Sequence, residues 1–216
     1  MPYVRHPDRM LQAAFSCGYQ GARPDRAEFL FVGLDANFAE DIVTKDALYQ
    51  DVLEYLSNGP KYWERHDKHH PFLRHPSVAD GWLYHSRFSQ IGLTARDAPR
   101  VSFVELLHVA TVGRSPLRHS DLDPAHLSRL RAWMTGCNVR FVFASRMVGR
   151  WLQRLRLFEE LRSPATETAS GLWGWTLRRG GPQLLLHSHF SAWGCQYAQL
   201  QKDLLSIRAL VRPAAP

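Results

Sequence analysis

Two short segments, far apart in the chain, carry side chains that could act on a substrate. The first is GLDANF (33–38), whose carboxylate is Asp35. A carboxylate there can orient and partly deprotonate a water molecule, or stabilise a cationic transition state. The second is HSHFSAWG (187–194), which begins with His187. A neutral imidazole at that position could donate a hydrogen bond to a leaving oxyanion.

Each segment follows an apolar run that is typical of a buried strand. FLFV leads into the first segment, and QLLLH (183–187) leads into the second. RVSFVELLHVATVG (100–113) and VRFVFAS (139–145) are further candidate strands, the latter rich in β-branched and aromatic residues. LWGWTLRR (172–179) is typical of an edge strand or hairpin arm. Patterns of helical spacing lie between the runs, at 46–59, 123–136, 145–161 and 198–211.

Uncharged strands that alternate with helices predict an α/β fold: a three-layer α/β/α arrangement with a mostly parallel central sheet of about four strands. We expect one domain over residues 1–216, with an N-terminal extension (1–25) and a short tail (212–216). In such sheets ligands bind beyond the carboxyl ends of the strands. The loops after positions 33, 108, 144 and 187 should therefore meet around one cleft.

The composition is globular, and the charge is basic. The formal net charge is +7, and residues 114–179 hold twelve arginines against five acidic residues. Guanidinium groups suit bidentate phosphate contacts, so the charge favours a nucleic-acid partner. The three cysteines lie far apart, and the N-terminus lacks the apolar centre of a signal peptide. We expect a cytoplasmic monomer without membrane association.

Taken together and in order, the motifs resemble those of the uracil-DNA glycosylase superfamily over about residues 29–200. That family has a strand followed by Gly-x-Asp-Pro-Tyr or Gly-x-Asn-Pro, matched here by GLDANF. Its last motif is a strand followed by His-Pro-Ser-Pro, which is placed here on His187-Ser188-His189-Phe190. VRFVFAS running into SRMVGRWLQ is similar to an intervening strand and helix. YWERHDKHHPF…YHSRFSQIGLT (62–94) is similar in placement to an aromatic and Gly-Leu-Thr stretch of the mismatch-specific branches.

The resemblance implies that Asp35 positions the attacking water or stabilises the oxocarbenium-like sugar, while His187 hydrogen-bonds the base oxygen. Phe38 would stack on a flipped base, because chemistry on a base requires removing it from the helix. The other expected base contacts are Gly33, Leu34, Asn37, His108, Ser188 and His189. The expected DNA contacts are Ser191 on a phosphate, Phe190 or Trp193 as a wedge, and the arginines Arg114 and Arg146. No metal or cofactor is implied, since N-glycosidic cleavage needs only a positioned water and a stabilised leaving group.

The chain departs from the family pattern at several positions. Ala36 and Asn37 stand where proline and an aromatic residue are expected, and Ser188 and His189 stand where proline and serine are expected. The second strand has no asparagine to read the base edge, so Glu105 or His108 would have to substitute. A deaminated base such as uracil or hypoxanthine, or a mismatched base, is compatible with these changes.

Three alternatives remain at this point. The first is a non-catalytic nucleic-acid-binding protein that retains the glycosylase fold. The second is a metal site built from His66, His69, His70 and His75, although two prolines interrupt the segment and no H-E-x-x-H motif is present. The third is a hydrolase with Ser145 or Ser188 as nucleophile, although neither lies in a Gly-x-Ser-x-Gly elbow.

Overall fold

The computed structural model describes residues 3–73, 82–113 and 116–212, which form an α/β fold with two β-sheets. The strands are β1 (Val4–Arg5), β2 (Tyr19–Gly21), β3 (Phe29–Gly33), β4 (Ala36–Phe38), β5 (Val101–Glu105), β6 (Ala110–Val112), β7 (Phe141–Ser145), β8 (Thr166–Glu167), β9 (Trp173–Thr176) and β10 (Gln183–His187). The α-helices are α1 (Arg9–Ala14), α2 (Asp46–Ser57), α3 (Gly59–His66), α4 (Trp82–Phe88), α5 (Pro124–Met134), α6 (Arg146–Arg154) and α7 (Gln196–Val211).

The larger sheet has the strand order β2-β5-β3-β7-β10-β9-β8. Its centre consists of the four strands β5, β3, β7 and β10, which run parallel as the sequence predicts. β2 pairs antiparallel with β5, and β9 and β8 continue the sheet antiparallel beyond β10. The sheet is therefore mixed and has seven strands, more than the four predicted. β9 confirms the edge strand or hairpin arm predicted at 172–179. β2 and β8 have three and two residues, too few to give a clear periodic signal.

Both faces of the central strands are buried. In β3, Phe29 and Phe31 join an aromatic cluster that includes residues of α4 and α7, whereas Leu30 and Val32 join an aliphatic cluster with residues of α5 and α6. Because neither face meets water, the strands appear in the sequence as unbroken apolar runs without polar alternation.

A small second sheet extends from the carboxyl edge of the large one. Two residues separate β3 from β4, and four residues separate β5 from β6. β4 and β6 then pair in parallel, with Asn37 opposite Thr111, and β1 pairs antiparallel with β6. The small sheet therefore stands directly over the ends of β3 and β5, where the cleft was predicted.

The N-terminal segment belongs to the folded unit, which differs from the expected extension over 1–25. Its described part supplies β1, α1 and β2, and the side chains of Leu11 and Phe15 are fully buried. Short elements with irregular spacing give no periodic pattern, so the sequence did not identify them.

The N-caps predicted for two helices in the second half of the chain are confirmed. Asp123 caps α5 and Ser145 caps α6, and each side chain accepts a hydrogen bond from a backbone N–H three residues later. The helix predicted over 198–211 begins two residues earlier, at Gln196. The helix expected over 145–161 is shorter, since α6 ends at Arg154 and Arg156 adopts a φ of 49° that no α-helix permits. Among the described residues, no helix combines the length and apolar character that a membrane crossing demands.

Candidate active site

A cavity of about 620 Å³ opens at the carboxyl ends of β3 and β5, beneath the small sheet. The loop after β10, the first turn of α6 and residues of α4 complete its walls. The residues predicted from the sequence that line it are Gly33, Leu34, Asp35, Asn37, Phe38, His189 and Ser191. The fold thus brings together two segments that are about 150 residues apart in the chain.

Asp35 is half-buried in the cavity wall and is held by neutral donors. Its Oδ2 accepts hydrogen bonds from Thr111 Oγ1 at 2.6 Å and from Asn37 Nδ2 at 3.1 Å. Burial raises the pKa of Asp35 above its ordinary value, and the two hydrogen bonds act in the opposite direction. The pairing of β4 with β6 creates this arrangement, because it places Asn37 and Thr111 side by side. A carboxylate fixed in this way, with its pKa raised, is suited to accept a proton from a bound water.

His189 shares the cavity with Asp35. Its Nδ1 accepts a hydrogen bond from the backbone N–H of Ser191 at 3.1 Å, so a neutral ring carries its proton on Nε2. Desolvation lowers the pKa of His189, while the charge of Asp35 acts to raise it. His189 is therefore a neutral donor through Nε2 near neutral pH.

His187 does not line the large cavity. It lies in an adjoining pocket of about 30 Å³ that shares Gly33, Leu34 and His189 with the cavity. Its Nδ1 lies 2.7 Å from the carbonyl oxygen of Ser188, which only accepts, so Nδ1 donates and Nε2 is left as an acceptor. Burial lowers the pKa of His187 to about 4. Asp35 and His187 therefore line different, adjoining pockets, because β10 continues through His187 and the loop lines the cavity from His189 onward.

Three other predicted contacts also lie away from the cavity. Phe190 is fully buried and stacks on His187 with ring centroids 4.5 Å apart, so it is not an exposed wedge in this conformation. Ser188 is buried, and its N–H donates to Asp203 while its Oγ accepts from Arg146. His108 does not line the cavity; its Nε2 lies 3.9 Å from an Asp123 oxygen. In this structure, Phe190 and Ser188 make packing and hydrogen-bond contacts within the fold.

Trp193 is an exposed large hydrophobic residue of this loop. It is 81% exposed, although the residues just before it in the loop are held in place. The buried guanidinium of Arg87, in α4, donates to the carbonyl oxygens of Phe190 (3.0 Å) and Ala192. Sequence reasoning missed this role of Arg87, because an arginine that follows a helical pattern is ordinarily solvated.

The arginines between 114 and 179 do not form one face. Arg140 pairs with Glu28 at the amino end of the sheet, whereas Arg146 lies at the carboxyl end and is bonded to Ser188. Arg114 falls outside the described residues. Lys45 is a cationic residue of the cavity lining itself.

The floor of the cavity contains two polar side chains that sequence reasoning either missed or left open. Glu105, at the end of β5, is 7% exposed, and its Oε2 has no hydrogen-bond partner among the described residues. Gln20, in β2, is 8% exposed and lines the cavity, and its backbone oxygen accepts from Ser102 Oγ at 3.4 Å. Gly33 lies opposite Glu105 in the sheet, and a Cβ at Gly33 would overlap the Glu105 carboxyl group. The glycine of the first motif therefore makes room for this carboxyl group.

Three histidines pack together beside the cavity. His69 Nε2 lies 3.1 Å from His85 Nδ1, and the rings of His70 and His85 stack with centroids 3.8 Å apart. His66 bonds instead to Glu54 from the end of α3, and His75 falls outside the described residues. Within the described ranges, no group of three or more His, Cys, Asp or Glu side chains has the geometry to hold a metal ion.

Comparison with known proteins assigns no family. No protein-family model matches the chain, and no curated protein matches it. The chemistry of the cavity is therefore inferred from the side chains described above.

Proposed function

We propose that the chain is a DNA glycosylase that hydrolyses the N-glycosidic bond of a deaminated or mismatched base, without metal or cofactor. The proposal includes the three-layer α/β/α fold of the uracil-DNA glycosylase superfamily and DNA as the partner. The observation that carries it is the position of Asp35 and His189 on the walls of one cavity at the carboxyl ends of parallel strands.

Asp35 supplies the base for this reaction. The oxygen of a bound water forms a bond to the sugar C1′ while the C1′–N bond breaks and its electron pair leaves with the base. The carboxylate takes the proton of the water, and its charge stabilises the cationic sugar as the bond lengthens. The departing base takes up a proton, so the products are an abasic sugar and a neutral free base.

His189 stabilises the leaving base. Its Nε2–H is the free donor of the ring, because Nδ1 is occupied by the Ser191 N–H. A neutral imidazole that donates to a base oxygen counteracts the negative charge that develops there. His187 offers only an acceptor nitrogen and lies behind the cavity. Moving the family's last motif by two residues, onto His189-Phe190-Ser191, also restores its His-x-Ser spacing.

The rest of the cavity suits a flipped nucleotide. Phe38 and Phe72 face each other edge to face in its lining, with ring centroids 6.0 Å apart, and provide flat apolar surface against which a base can stack. Trp193 projects from the neighbouring loop and is exposed enough to enter the gap that a flipped base leaves. These features support a DNA substrate over a small free metabolite.

The test is base release from oligonucleotides that carry uracil, hypoxanthine, xanthine or a thymine mismatch, in single and double strands. We expect the wild type to form abasic sites on at least one substrate. Asp35→Asn should lower the single-turnover rate by about 10²–10⁴-fold while DNA binding is retained. The substitution keeps an oxygen that can accept from Thr111 and Asn37, so the fold should be preserved.

Asp25→Asn is the matched control, because Asp25 is exposed and paired with Arg23 outside the cavity. It should release base at the wild-type rate. Tight DNA binding by the wild type without release of any base would contradict the glycosylase proposal. That outcome would favour the non-catalytic binding protein.

A further inference from the structure

We propose that Arg87 is a positioning residue that acts on His189 through the peptide group between Phe190 and Ser191, and strengthens the Nε2–H donor of that histidine. This inference rests on the proposed function and adds a residue to its machinery. Arg87 lies in α4, 103 residues before Phe190, and it does not line the cavity. Its effect on a bound base must therefore pass through the loop after β10.

The guanidinium group and the histidine ring bind to opposite sides of one peptide group. Arg87 Nη1 donates to the carbonyl oxygen of Phe190 at 3.0 Å. The N–H of the same peptide group belongs to Ser191 and donates to His189 Nδ1 at 3.1 Å. The carbonyl and the N–H of a trans peptide point in opposite directions. A continuous hydrogen-bonded path therefore runs from the guanidinium group to the imidazole ring, whose Nε2–H faces the proposed substrate.

A second pair of contacts fixes the orientation of this peptide group. Arg87 Nη1 also donates to the carbonyl oxygen of Ala192. The N–H of Ala192 in turn donates to the carbonyl oxygen of His189 at 2.8 Å, which closes the turn from 189 to 192. The peptide group of Ser191 lies inside this turn. Its N–H is therefore held toward Nδ1 and cannot rotate away without breaking bonds to the guanidinium group.

Tyr197 covers the guanidinium group from α7. The guanidinium carbon of Arg87 lies 4.8 Å from the centroid of the Tyr197 ring, and Arg87 is only 9% exposed. A cation is attracted to the face of an aromatic ring, and hydrogen bonds from a charged donor are stronger where water is excluded. The bonds from Arg87 to the loop are therefore stronger than those of a solvated arginine.

The path makes His189 a better donor. A charged donor on the Phe190 carbonyl oxygen polarises the peptide group, so the Ser191 N–H becomes a stronger donor to Nδ1. That bond keeps the proton of the neutral ring on Nε2 and makes the Nε2–H more acidic. The base oxygen gains negative charge only as the C1′–N bond breaks, so the gain is largest in the transition state. Arg87 should therefore affect the chemical step more than the binding of DNA.

The first test is the single-turnover rate of base release from the oligonucleotide that wild type cleaves best. Arg87→Met should lower this rate by about tenfold or more, since it removes a charged donor to the loop. Arg87→Lys keeps a cationic donor and should recover part of the loss. The control is Arg96→Met, because Arg96 is exposed and lies outside the cavity. It should leave the rate unchanged.

A double-mutant cycle shows whether Arg87 acts through His189. In a His189→Ala background the path has lost its end, so adding Arg87→Met should cost little further rate. Losses of the two substitutions that simply add would show that Arg87 supports the loop in some other way. That outcome would overturn the inference.

The ring nitrogens of His189 give a measurement that needs no substrate. In ¹⁵N NMR spectra near neutral pH, wild type should show Nδ1 unprotonated and Nε2 protonated. The Ser191 N–H can bond only to an unprotonated Nδ1, so this bond favours the neutral ring. Arg87→Met should therefore shift the Nδ1 signal and raise the pKa of His189 by about 0.5. Arg87→Lys and Tyr197→Leu should cause smaller shifts, and both retain a cation at position 87 if Arg87→Met does not fold.

The two measurements separate this inference from the proposed function. His189 signals and a His189 pKa that stay unchanged in the folded variants would overturn the inference, whether or not the wild type releases base. Shifted signals in a protein that releases no base would keep the link between Arg87 and His189 and overturn the enzyme. Base release that is unaffected by Arg87→Met would keep the enzyme and overturn the role of Arg87.

Discussion

Carboxyl groups lie at both ends of the central strand β3, and their surroundings are opposite. At the amino end, Glu28 is bonded to Arg100 at 2.6 Å and to Arg140 at 2.7 Å. At the carboxyl end, Glu105 has an oxygen without a partner among the described residues, and Asp35 accepts only from neutral groups. The amino end therefore neutralises its partly buried charge with cations, whereas the carboxyl end retains groups that cost stability. Proteins keep such groups where they bind or react with a ligand.

A glycine shapes the carboxyl end of β3. Gly33 closes β3 at the carboxyl end and has no side chain to occupy the space that the Glu105 carboxyl group fills. Its backbone carbonyl accepts from the N–H of Leu106, so the strand pairing continues past the carboxyl group. The edge of the sheet therefore holds the Glu105 carboxyl group directly over the backbone of Gly33. That carboxyl group lines the cavity, where a ligand can contact it.

The largest expected effect separates the two histidines at the carboxyl end. His189→Ala should lower the single-turnover rate of base release by about 10²-fold, because it removes the Nε2–H donor from the cavity. His187→Ala should lower the unfolding free energy, since it removes a buried ring that stacks on Phe190. Rates and urea unfolding curves of both variants measure the difference. A larger loss of the chemical step in a folded His187→Ala protein than in His189→Ala would return the catalytic role to His187.

An intermediate effect is expected from Gly33→Ala. The new methyl group meets the Glu105 carboxyl group, so the unfolding free energy should fall by about 1–3 kcal/mol and base release should fall with it. The control is the same substitution in a Glu105→Ala background, where the overlap is absent and the cost should largely disappear. Equal destabilisation in both backgrounds would show that backbone conformation, and not the carboxyl group, requires the glycine.

Long apolar runs made the centre of the fold predictable from the sequence. The four parallel strands and the caps Asp123 and Ser145 follow from local composition, and they place the cavity at the correct edge of the sheet. Asp35 was predicted for the same reason, since it directly follows the strand that ends at Gly33.

The histidine and the floor depend on tertiary structure. His187 and His189 are two residues apart, and the point at which β10 ends decides which of them lines the cavity. Gln20 lies in a three-residue edge strand whose position depends on pairing with β5, about 80 residues away. Thr111 holds Asp35 through a sheet that forms only when β4 and β6 meet. Register and long-range pairing leave little trace in local sequence.

The smallest effect comes from making one substitution, Glu→Gln, at each end of β3. Glu28→Gln should lower the unfolding free energy by about 1 kcal/mol, and less at high salt, because its arginine partners are partly exposed. Glu105→Gln should instead raise the unfolding free energy relative to wild type. The folded pKa of Glu105 lies above its unfolded value of about 4.3, so its stabilising contribution is present at low pH and is lost as the pH rises toward the folded pKa.

Urea unfolding of both variants and wild type between pH 5 and pH 9 measures this contrast. Glutamine mimics the protonated acid and cannot ionise. The unfolding free energy of Glu105→Gln should therefore increase relative to that of wild type as the pH rises. Asp35 is present in both proteins and its own titration largely cancels in the difference. Parallel pH dependence of wild type and Glu105→Gln would mean that Glu105 is not held protonated. The two ends of β3 would then differ in their partners but not in the charge they carry.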